Sequence, residues 1–409
     1  MIPKPTLRTL VLIWLGWFLV LYGFQSLVSH RLGLLRPDLA VPWTRTETLS
    51  TSNRGKIYLL EPFMNKQVAW DSEYYVGIAA GGYDDPKAGR VTNPATGKPV
   101  VKNYSFFPLY PFIMKFVAQP FAWLGMDTIA AAVAAGLVVT LLGTLAGMVA
   151  LWQITRDLLD EDSAFRAVFY MLIFPTAFFF AMVYTEGLFF GLALWSLLLS
   201  KRKQWVWASL LAVLAAWTRA HGAALVVPLV WSWLTSQNKE ERGASLENWK
   251  WWAQGALALL PLAAFLVWRI SPLGRGWAEL QSFFFGRGFM SILRSVGDIR
   301  NAFEYAQTTS HAAVYYSIEA IVVLLALAAS IWLFRIDPPV ALFGLAVILL
   351  SVMSGSVQSL ARYMLISPPL YIFLARLGRN KVFDRLWTIA SILWLGISAT
   401  LFAFDMWVG

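Results

Sequence analysis

The sequence predicts an all-α polytopic membrane protein, and three observations carry that expectation. Of its 409 residues, 58% are hydrophobic and 14% charged, against about 25% charged in an ordinary soluble domain; the mean hydropathy is +0.59. Apolar runs of about 20 residues recur along the chain, enough at 1.5 Å per residue to cross a hydrocarbon core. Lysine and arginine gather at the ends of these runs, where membrane surfaces hold them. The net charge of +10 is scattered over helix ends and loops, so it reads as membrane anchoring and not as nucleic-acid binding. There is no cysteine, hence no disulfide and no thiol chemistry. The three histidines, His30, His221 and His311, are too far apart in sequence to suggest zinc. No phosphate-binding glycine loop and no nucleophile elbow is present.

Taken in order, Lys4 and Arg8 precede a first span, Leu10–Val28, which places the N-terminus in the cytoplasm. His30 to Asn103 follow as outer loop. Phe106–Leu124 is apolar but carries Pro108, Pro111 and Pro120 with Lys115 and Gln119 in its middle. Proline removes a backbone donor and a mid-membrane lysine is costly. Parity agrees: counting back from the basic Lys201-Arg202-Lys203 cluster, Tyr184–Ser200 and Phe165–Val183 are spans, and Ile129–Ile154 enters from outside. Phe106–Leu124 therefore begins and ends outside, as an interfacial or re-entrant segment. Trp205–Trp217 and Ala223–Leu234 are short spans meeting outside, and Thr235–Lys250 is a cytoplasmic loop. Trp251–Ile270, Ala312–Phe334, Pro339–Met353, Tyr363–Ala375 and Leu386–Phe404 complete about eleven spans. The whole of 1–409 reads as one integral membrane domain, with a first extracytoplasmic loop (30–126) carrying juxtamembrane helices and a second at 271–311.

The polar interval Val68–Pro111 draws the most chemistry. Asp71 opens a predicted helix, sharing a face with Tyr75 and Ile78, while Glu73 points the other way. That helix is expected to stop at Gly81-Gly82. Tyr104, further along in the stretch KNYSFFPLYP, is expected with Glu73 among the substrate-binding residues. The predicted topology collects Asp71 and Glu73, Glu186, Arg219 and His221, and Arg362 with Tyr363 on one side of the membrane, where charged groups are costly unless paired or functional. Each also has a plain structural reading. Asp71 or Glu186 would serve as a helix cap, and Glu73 as a solvated partner for a nearby base. Arg219 and Arg362 would snorkel to headgroups. His221 would be a hydrogen-bonded structural residue.

Trp70-Asp71 followed by Gly82-Tyr83, then Phe106-Phe107-Pro108-Leu109-Tyr110-Pro111, resembles the PIG-V-like mannosyltransferases, membrane enzymes of the GT-C class. Tyr184-Thr185-Glu186, Thr218-Arg219-Ala220-His221-Gly222 and Arg362-Tyr363 are similar to later motifs of that family, in the same order. The chain departs from the family at Ala220-His221, where serine or proline and asparagine are more common, which bears on the acceptor. The resemblance implies a GT-C-like bundle in the cell inner membrane or its equivalent. It implies a polyprenyl phosphate monosaccharide as donor, with mannose as the sugar, used on the non-cytoplasmic face. The acceptor stays open among lipid, glycan and protein.

The residues suit such a transfer. A glycosidase needs an acid for its poor leaving group, hence two positioned carboxylates. A lipid phosphate leaves as a stable anion, so one carboxylate suffices to take the acceptor's proton in an inverting displacement. Asp71 is assigned that role, Arg362 and Arg219 bind phosphate, and Glu186 and Tyr75 orient sugar hydroxyls; no metal or cofactor is demanded. A secondary transporter or lipid flippase is the alternative, with charged groups near the midplane on broken helices and a repeat between halves. No repeat is visible. A non-catalytic membrane scaffold is a third reading.

Overall fold

Apolar segments with no water to hydrogen-bond must satisfy their backbone internally, so they coil into helices. The computed structural model describes residues 3–32, 63–236 and 249–408. In chain order its helices are α1 (Lys4–Arg31), α2 (Asp71–Gly81), α3 (Leu109–Trp123), α4 (Thr128–Leu158), α5 (Glu161–Ile173), α6 (Glu186–Lys201), α7 (Trp205–Ala216) and α8 (Val226–Leu234). After these come α9 (Trp249–Ile270), α10 (Pro272–Phe283), α11 (Ile292–Ala306), α12 (Ser310–Phe334), α13 (Pro338–Val352), α14 (Leu360–Met364), α15 (Pro368–Leu377) and α16 (Lys381–Ala403). Among the described residues five, α1, α4, α9, α12 and α16, are long and apolar enough to cross a membrane, and further apolar helices are shorter. The all-helical membrane class is thus what the chain adopts. Most of the loop expected over Thr235–Lys250, and 33–62 of the first loop, lie outside the described residues.

Two expected spans are broken, each at proline. Phe165–Val183 is not one helix: α5 ends before Phe174-Pro175, and the chain goes on as a 3-10 turn over Ala177–Ala181. Tyr363–Ala375 is likewise divided between α14 and α15, with Pro368 and Pro369 opening the second piece. A proline ring removes one amide and disfavours helix in the residue before it. α2 ends where expected, at Gly81, with Gly82 at φ 85°. The polar interval after it, too short in apolar alternation to announce strands, contains an antiparallel hairpin, β1 (Arg90–Thr92) with β2 (Pro99–Val101), in which Val91 faces Val100. Asn93 at its turn donates to Glu279 and ties the hairpin to α10.

The bundle is built around α4. Gly143 and Gly147 of α4 meet Gly187 and Gly191 of α6, two small-xxx-small pairs that let backbones touch. A Cβ at Gly143 would stand 2.5 Å from the Leu188 Cα, and one at Gly191 would stand 2.6 Å from the Gly143 carbonyl oxygen. The same helix face supplies hydroxyls to unwound chain. Thr144 donates to the Phe180 carbonyl at 2.7 Å and Thr140 to the Tyr184 carbonyl at 2.8 Å. These carbonyls lie in the 3-10 turn and irregular chain before α6, where an unmet acceptor in a dry bundle costs about 1–3 kcal/mol. Tyr110 of α3 stands 2.8 Å from the Thr140 hydroxyl and 3.0 Å from the Gly136 carbonyl. α1 is stapled on by Trp14 to the Leu141 carbonyl (3.0 Å) and Trp17 to the Leu172 carbonyl (2.8 Å).

Gly143→Val is expected to force α4 and α6 apart, because the atoms it meets are main-chain and cannot rotate away. Overpacking of this kind costs about 1–3 kcal/mol or more. Gly16→Val on α1, where a Cβ meets nothing within 4 Å, is expected to be nearly silent. Thermal unfolding of both variants in detergent checks this, and equal melting temperatures would contradict the account.

Candidate active site

Asp71 owes its aim to the residue before it. Trp70 has φ 56° and ψ −114°, a conformation that costs a non-glycine residue about 1–3 kcal/mol and persists only when the surroundings enforce it. Its indole donates to the Met406 carbonyl at 3.2 Å and packs edge-on against Trp407 at 4.9 Å. On the other side the Tyr184 hydroxyl donates to the Ala69 carbonyl (3.1 Å) and accepts from the Asp71 amide (3.2 Å). Asp71 thus stands at the first position of α2, with its carboxylate turned away from the helix. It does not cap; it pairs with Arg362, Oδ2 to Nη1, at 2.8 Å.

Arg362 is placed by a second strained residue. Ser359 has φ 65°, and the turn it makes is held by the α12 span. Its amide donates to the Tyr315 hydroxyl at 3.3 Å, and the Ala361 amide donates to the buried Glu319 carboxylate at 2.5 Å. Arg219 arrives from a third break, the extended residue between α7 and the 3-10 turn Ala220–Leu225. Gly222 lets that turn close against the Ala215 and Ala216 backbone, where a Cβ would collide. The Arg219 guanidinium binds Glu186, and donates to the Thr185 hydroxyl at 3.1 Å. Glu186 opens α6, is fully buried, and also faces the Arg362 Nε at 3.7 Å. Its acid in the first turn complements the helix dipole.

The four charged residues from distant motifs therefore form one chain of charge: Asp71, Arg362, Glu186, Arg219. Tyr363 lies beneath it as a plate. The guanidinium carbons of Arg362, Arg219 and Arg287 stand 5.3, 5.5 and 5.0 Å from its ring centre. His221 also packs on Tyr363 and meets the Ser351 hydroxyl at 3.0 Å. Tyr75 completes the wall, packed against Phe106 and Tyr110 at 5.1 Å. Burial first, then the charges of Asp71 and Glu186, push its phenol well above the ordinary range, so it stays a hydrogen-bond donor.

Two expected residues lie elsewhere. Glu73, read from sequence as a solvated partner, is buried on a different face of α2. Tyr104 is apart from the cluster: its hydroxyl donates to Asp84 at 2.9 Å, and its ring packs near Tyr83. Three residues escaped the sequence reading. Arg287 was one basic residue among several in a loop. Thr140 was one hydroxyl in an apolar run. Glu319 had a usable signal, being a lone carboxylate within a span, a place where ionisable groups are rare. Among the described residues no group of three or more His, Asp or Glu side chains is set to hold a metal ion. A surface groove of about 590 Å³, lined by Lys203, Trp205, Trp249 and Lys250 among others, lies at the opposite end of α7 and holds none of these residues.

Comparison with known proteins adds a partial family match. Residues 46–235 match the family described as Mannosyltransferase (PIG-V). No curated protein matches. Among solved structures the chain is similar to the archaeal oligosaccharyltransferase AglB from Archaeoglobus fulgidus, in complex with an inhibitory peptide and a dolichol-phosphate. The identity is 11% and the TM-score 0.42, over 96% of this chain and 55% of that one. It is also similar to the Archaeoglobus fulgidus oligosaccharyltransferase in complex with Zn and sulfate, at 14% identity and TM-score 0.42, over 95% and 52%. The chain spans about half the length of these structures.

Glu186 is the member on which both buried arginines lean. Glu186→Gln keeps its shape and removes the shared negative charge, and breaking a buried pair costs about 3–5 kcal/mol. Lys115→Gln, on the exposed side of α3, is expected to stay within about 0.5 kcal/mol of wild type. Parallel unfolding measurements decide, and a Glu186→Gln protein as stable as Lys115→Gln would show that the pairs carry no stability.

Proposed function

We propose, from the match of residues 46–235 to the mannosyltransferase (PIG-V) family, that the protein transfers mannose from a polyprenyl phosphate donor to an acceptor hydroxyl on the non-cytoplasmic face, with inversion. The observation that carries this reading is the Arg362 guanidinium placed between the Asp71 carboxylate at 2.8 Å and Glu186 at 3.7 Å. The acceptor oxygen attacks the sugar's anomeric carbon, the carbon–oxygen bond to phosphate breaks, and the acceptor's proton passes to Asp71. As Asp71 is neutralised, the leaving phosphate gains the charge that Asp71 loses. Arg362 can exchange one anion for the other without leaving its place, and preorganised donors aimed at developing charge are usually the largest single contribution to catalysis.

The remaining residues take supporting roles. Arg219 offers a second guanidinium to the phosphate, in a planar geometry an ammonium cannot copy. Glu186, fully buried, holds the two arginines side by side against their mutual repulsion, a role favoured by its contacts over direct sugar binding. Tyr75 and His221 are assigned to bind sugar or acceptor hydroxyls. The acceptor is a hydroxyl on a lipid, a glycan or a protein.

Asp71→Asn is expected to lose about 10²–10⁴-fold in transfer rate while keeping donor affinity. Radiolabelled transfer by the purified variant checks this, and a rate near wild type would remove Asp71 from the chemistry. Arg362→Ala is expected to weaken donor binding by about 30-fold or more, since losing one partner of a desolvated pair costs about 2–5 kcal/mol. Arg362→Lys should restore only part of it.

The face and the path of α3 have their own test. α3 has 15 residues, short of the roughly 20 a span requires, and Phe112, Phe116 and Trp123 project from it exposed. An interfacial or re-entrant α3 keeps both of its ends on one side. The chain has no native cysteine, so single cysteines at the exposed Thr96 and Thr128 report their side to an impermeant thiol reagent. Labelling of both from outside is expected; labelling of Thr128→Cys from the cytoplasm alone would make α3 a span.

A further inference from the structure

The segment before the α12 span has its polar and apolar faces reversed relative to a helix packed on a soluble core. In α11, the exposed large apolar residues are Ile292, Leu293, Val296, Ile299 and Phe303, with Leu293 90% and Phe303 67% exposed. At 100° per residue these five fall within about 120° of arc. Phe289, just ahead of the helix, is 86% exposed as well. The protein-facing side carries Ser295, Asp298 and Ala302, of which Ser295 and Ala302 are buried.

That polar side is fully engaged, and with one target: the turn 353–358, which leads into Ser359 and Arg362. The Ser291 amide donates to the Met353 carbonyl (2.9 Å) and the Gly288 amide to the Ser354 carbonyl (2.7 Å). In return the Gly355 amide donates to the Ser295 hydroxyl (2.9 Å) and the Val357 amide to the Asp298 carboxylate (2.8 Å). Arg287 donates to the Gln358 carbonyl at 3.0 Å while its guanidinium rests on Tyr363. A helix so bound cannot turn its apolar stripe inward without breaking these bonds.

We propose that α11 lies on the phospholipid bilayer, its stripe in the boundary between acyl chains and headgroups, and so straps the Arg362 turn to the membrane surface. The occupant is identified by continuity. Only Gln307 to Thr309 separate α11 from α12, whose exposed Val314, Ile321, Leu324 and Ile331 form the lipid-facing side of a membrane-long helix. Arg294 and Arg300 are exposed along the same helix, Arg300 pairing with Glu304 at 2.8 Å, and Arg294 is the guanidinium left for a lipid phosphate. A large apolar stripe with arginine alongside is the pattern of interfacial helices. The proposal concerns the seat of the helix and holds whatever reaction the site performs.

The cysteine-free chain allows a direct test. Single cysteines carrying a nitroxide are placed at Leu293, Val296 and Phe303, and for comparison at the exposed Gly297 and Asn301. The protein is reconstituted in phospholipid nanodiscs, and relaxation by oxygen is compared with relaxation by a water-soluble nickel chelate. The oxygen-to-nickel ratio is expected to be several-fold higher at the three stripe positions. Nickel access at the stripe equal to that at Gly297→Cys and Asn301→Cys would put the helix in water and overturn the proposal. Shielding from both reagents, with dipolar broadening between labels, would overturn it in favour of a second copy of the chain.

Discussion

A guanidinium in a dry helical bundle sacrifices several kcal/mol of hydration, and this protein places two of them side by side. Arg362 and Arg219 are both largely buried, and what makes that tolerable is the alternation of sign from Asp71 through Arg362 and Glu186 to Arg219. Much else in the structure follows from keeping that alternation in register. Glu186 must sit at a helix start deep in the bundle, so α6 must cross α4 closely enough for the glycines to touch. Asp71 must reach Arg362, so Trp70 accepts a left-handed φ and is held to it by the C-terminal tail.

The site is assembled from interruptions of helix, and each interruption is met chemically. The stretch before α6 gives its carbonyls to Thr140 and Thr144, and the turn before Arg362 gives its amides to Glu319 and Tyr315. Irregular backbone inside a membrane protein survives where protein groups replace the missing helical bonds. The apolar-run helices carry the stability, and the breaks between them carry the charged cluster. α11 extends the same logic outward, since its polar side backs the 353–358 turn and its apolar side is left for lipid.

Which residues gather was readable in the sequence, because an ionisable group in an apolar setting has few places to go. Asp71, Glu186, Arg219 and Arg362 were singled out for that reason, and they meet. Which acid meets which arginine was not readable. Asp71 and Arg362 are separated by 291 positions, and their pairing depends on two strained residues, Trp70 and Ser359, that no propensity announces. Prolines at 175 and 368–369 were visible, yet hydropathy averaged over them and drew two spans as continuous. Glu73 shows the opposite failure: its charge suggested water, while the tertiary packing of α2 buried it.

The account turns on Arg362 exchanging the Asp71 carboxylate for a phosphate. A structure of the purified protein in nanodiscs with a polyprenyl phosphate bound tests this most directly. The prediction is phosphate oxygens within about 3.2 Å of the Arg362 and Arg219 guanidiniums, with Asp71 released from Arg362. A phosphate bound elsewhere, with the Asp71–Arg362 pair intact, would contradict it.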